Sequence, residues 1–223
     1  MKEKIISEIK YFSNHPFNKT PNIVESNWKE VNTNDLISVT KYPKFKDKLH
    51  VIKKNENSNG ITDEELNIIF GNGKRLYTGF FAKSMVSELL FEGNHGYSSN
   101  NSEDFGYGFY TFDDINYALK YAQPSGALLI FDWSGKKECI QKVLSLSEWK
   151  ETVNGYHCRN NKCKHPGRPI IKCDILIGPI SENYNCNCID HIPNYSINQY
   201  VAHHTDIGYN LFCERLIGII YLQ

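Results

Sequence analysis

Two stretches of this chain carry side chains whose types and spacing could do chemistry. In "EDFGYGFYTFDDINYALKYA", residues 103–122, glycines alternate with aromatic rings before a helical pattern begins. Glycine permits close backbone approach to a ligand, and rings held on regular structure offer a flat cation a stacking face worth roughly 0.5–2 kcal/mol. The second stretch, "HCRNNKCKHPGRPIIKC", sets out His157, Cys158, Cys163, His165 and Cys173, and "CNC" follows at Cys186 and Cys188.

Zinc takes soft ligands in tetrahedral reach, commonly with two to four residues between paired cysteines. Cys158 and Cys163 stand at the upper edge of that spacing, whereas Cys163 with His165, and Cys186 with Cys188, are too close to form the usual pairs. The spacing therefore favours reduced cysteines over a structural zinc held by Cys158, Cys163, His165 and Cys173. A zinc there would staple the loop and perform no chemistry. His203 and His204 adjoin a further polar strand, but neighbouring strand residues point to opposite faces, so at most one faces any given site.

The elements that must position these groups come from a chain of 223 residues, 40% hydrophobic, which favours one domain with elaborations. Lys and Arg (25) balance Asp and Glu (25), which argues against the basic footprint of a duplex-binding protein. The apolar runs fall far short of the ~20 residues of a membrane span. The N-terminal "MKEKIISEIKYF" lacks the continuous apolar core of a secretory signal. With seven cysteines and no such signal, reduced thiols and a cytoplasmic or nuclear compartment are expected.

Residues 1–13 read as an amphipathic helix ended by a proline-containing loop. Thr62 with Glu65 three positions later has capping-box spacing, and Gly71 marks the end of that short helix. "KRLYTGFF" (74–81) has strand composition, residues 82–93 helical spacing, and "DDINYALKYA" a stripe of Ile115, Ala118, Leu119 and Ala122 capped by Asp113 or Asp114. "GALLIFDW", "CDILIGPI", "NQYVAHHT" and "RLIGIIYLQ" read as strands, the second broken at Gly-Pro, and "SLSEWKETV" as a helix within an insertion at about 134–172. Strands separated by single helices without strict alternation predict an α+β domain over 71–223, with residues 1–70 as an extension packed on it.

Taken in order, "LYTGFF", a helix, a polar loop, "DFGYGFYTFDDINYALKYA", a strand, "CDILIGPI" and "NQYVAHHTDIGYNLF" resemble the ADP-ribosyltransferase superfamily on its poly(ADP-ribose) polymerase and diphtheria-toxin-like side. The resemblance covers residues 75–222 and looks closest to members with a "DxxIGP" strand and a late "QY" pair. It implies a split mixed or antiparallel sheet with flanking helices, and NAD as substrate in a cleft. Gly79 would contact the nicotinamide carboxamide through its backbone, the motif glycines, Gly108 among them, would allow close approach, and Tyr110 and Tyr121 would stack on the ring.

Two departures from the family pattern bear on activity. Thr78 stands where this branch has a ribose-binding histidine, and Gln199 where it presents a glutamate. Breaking the bond to nicotinamide builds positive charge on the ribose, which a carboxylate stabilises and an amide does not, and losing one such contributor costs on the order of 10²–10³ in rate. The resemblance thus implies an NAD-dependent transferase acting on a protein or nucleic acid acceptor, or slowly hydrolysing NAD, with Thr78 and Gln199 in the catalytic positions. It equally leaves open a lapsed NAD- or ADP-ribose-binding or protein-interaction module. A zinc-stapled scaffold whose "FGYGFY" is core is the reading from another class.

Overall fold

The computed structural model of the chain describes residues 50–54, 61–81, 103–122, 126–135, 138–157, 171–182, 191–202 and 206–222. The helices expected at 1–13 and 82–93 lie outside these residues. Strands and helices share the described chain as a mixed α+β protein, and no described helix is long and apolar enough to cross a membrane.

The described elements fall into two units. The first holds β1 (His50–Lys54), α1 (Asp63–Phe70), β2 (Arg75–Phe80), α2 (Ile115–Ala122), β4 (Ala127–Asp132) and β8 (Leu216–Leu222). Its strands lie in the order β1-β8-β4-β2, with β1 parallel to β8 and the other neighbours antiparallel. Residues 50–70, read from sequence as an extension, therefore supply an edge strand and a helix of this unit.

Both predicted ends of α1 form as their residue types require. Thr62 accepts from the Glu65 amide at 3.2 Å while the Glu65 carboxylate takes the Thr62 amide at 2.9 Å. Gly71 closes the helix at φ +75°. Arg75 is buried and donates to the Leu66 and Gly71 carbonyls and to Asn67 Oδ1. The Gly71 carbonyl is among those that a helix C-terminus leaves without an internal partner, and the guanidinium carries enough donors to serve all three acceptors.

Register puts Tyr77, Gly79, Leu128, Ile130, Gly218 and Ile220 on one face of the first sheet. α1 and α2 both cover that face. A Cβ on Gly218 would meet the Phe70 ring at 2.5 Å, and one on Gly79 would meet the Ala118 carbonyl of α2 at 2.1 Å. On the opposite face Phe212 lies against Phe131 edge-on at 5.5 Å and stacks on Trp133 at 5.1 Å.

The second unit holds β3 (Phe109–Phe112), β5 (Gln141–Val143), α3 (Leu146–His157), β6 (Ile175–Ser181) and β7 (Pro193–Ala202). A helix that was not foreseen, α4 (Asp206–Arg215), carries the chain between units, the boundary falling after Leu211. The strand order is β3-β7-β6-β5, antiparallel except for the parallel pair β5 and β6. β6 runs unbroken through Gly178-Pro179, and the proline is accommodated by a register shift between Pro179 and Ile180.

Of the region expected as an insertion, β5 and α3 belong to this unit. α3 begins with a second reciprocal cap, Ser145 with Glu148, and Lys142 at 2.6 Å holds the Glu148 carboxyl down at a pKa of about 2. Its inner face delivers Trp149 and Val153 onto Phe105, Leu144, Cys173, Leu176 and Val201. Fully burying an aliphatic or aromatic side chain contributes about 1.5–3 kcal/mol, so this cluster is a principal source of the unit's stability.

Candidate functional site

The "FGYGFY" segment folds as a turn that satisfies its own backbone. Glu103 accepts from the Gly106 amide at 2.9 Å. The Tyr110 hydroxyl then reaches back across the turn, accepting from the Phe105 amide at 3.0 Å and donating to the Gly106 carbonyl at 2.7 Å. Its ring packs on the cluster beneath α3. Burial, followed by the charges of Glu103 and Asp104, holds this phenol well above the ordinary tyrosine range.

Both glycines of the turn have packing reasons. Gly106 sits at φ +75°, where a side chain is disfavoured, and a Cβ there would lie 2.1 Å from the Tyr156 ring. A Cβ on Gly108 would strike Val201 and the Ala202 carbonyl at 2.5 and 2.8 Å. Tyr110 and Gly108, expected to serve a ligand, are thus occupied in forming the turn and docking β3 on β7.

Gln199 shares with Val201 the face of the second sheet that α3 covers, and only 2% of it is exposed. Its amide nitrogen donates to Asp104 Oδ2 at 2.8 Å and to the Pro179 carbonyl at 3.1 Å. The same carboxylate accepts from the Ser181 amide at 2.7 Å and from His157 Nε2 at 2.7 Å. A buried carboxylate requires such compensation, and three donors from three separate elements supply it. The side chain expected in the catalytic position is thus engaged by an internal network.

The network continues through His191, whose Nδ1 lies 3.0 Å from Ser181 Oγ and whose ring faces His157 at 4.7 Å. Serine, histidine and aspartate side by side raise the question of a nucleophilic triad. A triad needs one imidazole bonded to both the nucleophile and the carboxylate. Here the serine bonds one imidazole and the aspartate the other, and Ser181 is 1% exposed, so the arrangement is suited to holding β6, β7 and α3 together. Asp104, Ser181, His157 and His191 were not foreseen in these roles, because Asp104 meets its partners across 53, 77 and 95 positions of chain.

In the first unit, Thr78 and Gly79 lie on β2 opposite Leu129 and Leu128 of β4. Thr78 is buried at 6% exposure, and Gly79 allows α2 to press onto the strand. Tyr121 on the last turn of α2 is 40% exposed. Its hydroxyl pairs with that of Tyr117 at 3.1 Å, the rings meeting edge-on, and Lys120 lies over Tyr117. Of the residues expected to contact NAD, Tyr121 is an exposed one.

Among the zinc candidates, Cys158, Cys163 and His165 lie outside the described residues, as do His203 and His204. Cys173 is described and belongs to the apolar cluster under α3, its thiol pushed up to about 11 by burial and then by Asp174. No group of metal-ligating side chains occurs among the described residues. Asp113, one of the two residues expected as a helix cap, accepts from the Asn198 amide and side chain at 2.7 and 2.9 Å. Comparison of the chain with family models, curated proteins and solved structures yields no match.

Proposed function

We propose that the chain is a protein of ADP-ribosyltransferase-like architecture that binds NAD or ADP-ribose and has lost efficient transfer. The order of its motifs supports the architecture, together with strands grouped in two units and "FGYGFY" opening β3 directly before α2. One observation carries the choice of binding over turnover: the Gln199 amide is buried and engaged by Asp104 and Pro179. In that state it neither orients a ribose nor stabilises developing positive charge.

The residues fit NAD in part. Tyr121 would offer the ring for stacking, and Thr78 would act behind it by holding β2 in place. An acceptor, protein or nucleic acid, belongs only to the transferase reading. Calorimetric titration with NAD, run beside a nicotinamide-release assay, tests the proposal. Wild type should bind without measurable release, and Tyr121→Ala, on an exposed helix turn, should fold normally and bind roughly 2–30-fold more weakly. Sustained release by wild type would restore the transferase reading. No binding by folded wild type would sink both, leaving "FGYGFY" as scaffold.

A further inference from the structure

We propose that β5 is an open edge at which the second unit takes an added strand from a partner, a short, uncharged, apolar peptide segment in extended form. β5 ends the strand order of this unit, and no strand among the described residues lies beyond it.

The ladder fixes which backbone groups face outward. In a parallel pair, alternate residues of a strand bond to the neighbour, and the residues between them point N–H and C=O the other way. The Ile140 carbonyl accepts from the Asp174 and Ile175 amides at 2.8 and 3.1 Å, and the Leu144 amide donates to the Ile177 carbonyl at 2.9 Å. With Gln141 opposite Ile175 and Val143 opposite Ile177, the bonding positions are Ile140, Lys142 and Leu144. Gln141 and Val143 therefore aim two amides and two carbonyls away from β6, the row of groups that templates a further strand.

The side chains along this edge are apolar and open. Ile140, Val143 and Leu146 are 65%, 66% and 50% exposed and fall within seven consecutive residues. Alternation sets Val143 beside Gln141 on one face of the strand and Ile140, Lys142 and Leu144 on the other. Lys142 is the one charged residue from Ile140 to Leu146, and its ammonium is held by Glu148 at 2.6 Å. The edge thus carries no uncompensated charge, which matches it to an apolar strand and not to an acidic or basic one.

Size chooses between a partner segment and a second copy of the chain. Three strand residues run ~10 Å at ~3.3 Å each. Even with the three apolar side chains, this edge is far short of the roughly 800 Å² per partner that a stable dimer buries. It suits strand addition, in which main-chain hydrogen bonds supply affinity and side chains at alternate positions supply specificity.

The probe is a displayed library of random heptapeptides, panned over the full chain with Val143→Lys protein in solution as competitor. Val143→Lys charges an exposed position, and Gln141→Pro removes an outward amide while leaving the bonds to β6, so both should keep the wild-type circular dichroism spectrum. Enriched peptides, resynthesised with capped ends, should bind wild type in fluorescence anisotropy and each variant at least tenfold more weakly. In hydrogen exchange, the Gln141 and Val143 amides of the free protein should exchange freely while that of Leu144 is protected, and peptide should slow the first two. No peptide enriched on folded wild type, or binding unchanged by Gln141→Pro, would overturn the proposal. A wild-type dimer in light scattering that Val143→Lys dissolves would also overturn it, assigning the edge to a second copy.

Discussion

Replacing Gln199 with glutamate separates the buried network from an open catalytic position more sharply than any other substitution. In a cleft lacking its carboxylate, Gln199→Glu should raise NAD consumption. In the structure, it sets a second carboxyl where the amide lies 2.8 Å from Asp104 Oδ2. Two unit charges about 3 Å apart at an effective dielectric of 20 repel by roughly 6 kcal/mol, equivalent to roughly four pKa units. The introduced carboxyl therefore stays protonated in the folded protein at neutral pH and donates its one hydrogen to Asp104.

Holding that proton costs stability, and the sign follows from linkage. The folded-state pKa is raised above an unfolded value of about 4.3, so the folded chain binds the extra proton and loses stability as pH rises between the two values. At about 1.36 kcal/mol per unit, the penalty is about 1 kcal/mol at pH 5 and about 4 kcal/mol at pH 7. Pro179 loses the amide but keeps the Trp149 indole donor at 2.7 Å, which limits the further cost there. Urea denaturation at pH 5 and pH 7 measures the difference, with Gln199→Met as a control that removes the amide without adding a titrating group. A penalty for Gln199→Glu that is under about 1 kcal/mol and flat with pH, or a gain in nicotinamide release, would refute the placement of Gln199 beside Asp104.

Two further outcomes follow from the turn at Phe105 and Gly106. Gly106→Ala meets both a left-handed backbone, costing about 1–2 kcal/mol, and the Tyr156 ring, costing about 1–3 kcal/mol, so urea denaturation should show a loss of about 2–5 kcal/mol; an effect under about 1 kcal/mol would refute this geometry. Tyr110→Phe strands the Phe105 amide and should cost about 1–3 kcal/mol. In ultraviolet titration, wild type should hold one tyrosine, absent from Tyr110→Phe, un-ionised past pH ~10 until the fold opens. Because that phenol's folded pKa is raised, its stabilising contribution is complete below the unfolded value and lost only as pH climbs through the folded one. A normal titration of Tyr110 would count against its burial.

The local grammar of the chain is well represented in its fold. Thr62 with Glu65 and Gly71 bound α1 as their types and spacing indicate. "KRLYTGFF" and "GALLIFDW" contain the paired strands β2 and β4, and "SLSEWKETV" initiates α3. These features depend on residues a few positions apart, where backbone conformation and capping are decided. Burial can invert what composition suggests: a lone arginine at a strand start suits the surface, yet Arg75 is buried against the end of α1.

The candidate site divides along the same line. That residues 105–110 must turn tightly with rings close by is written in the alternation of glycine and aromatic. Whether those rings face a ligand or one another depends on what α3 and β7 bring against them, and Tyr156, Trp149 and Val201 arrive from far along the chain. Gln199 offered no local sign of Asp104, His157 or Pro179 as its surroundings. A buried carboxylate gathers whatever donors the tertiary fold delivers, and hydrogen bonds of that reach leave no periodicity in sequence. The sequence by itself determined the elements, the turn and the identity of the chemically able residues; the tertiary structure alone decided that Tyr110 and Gln199 face inward, because burial and proximity are properties of packing between distant segments.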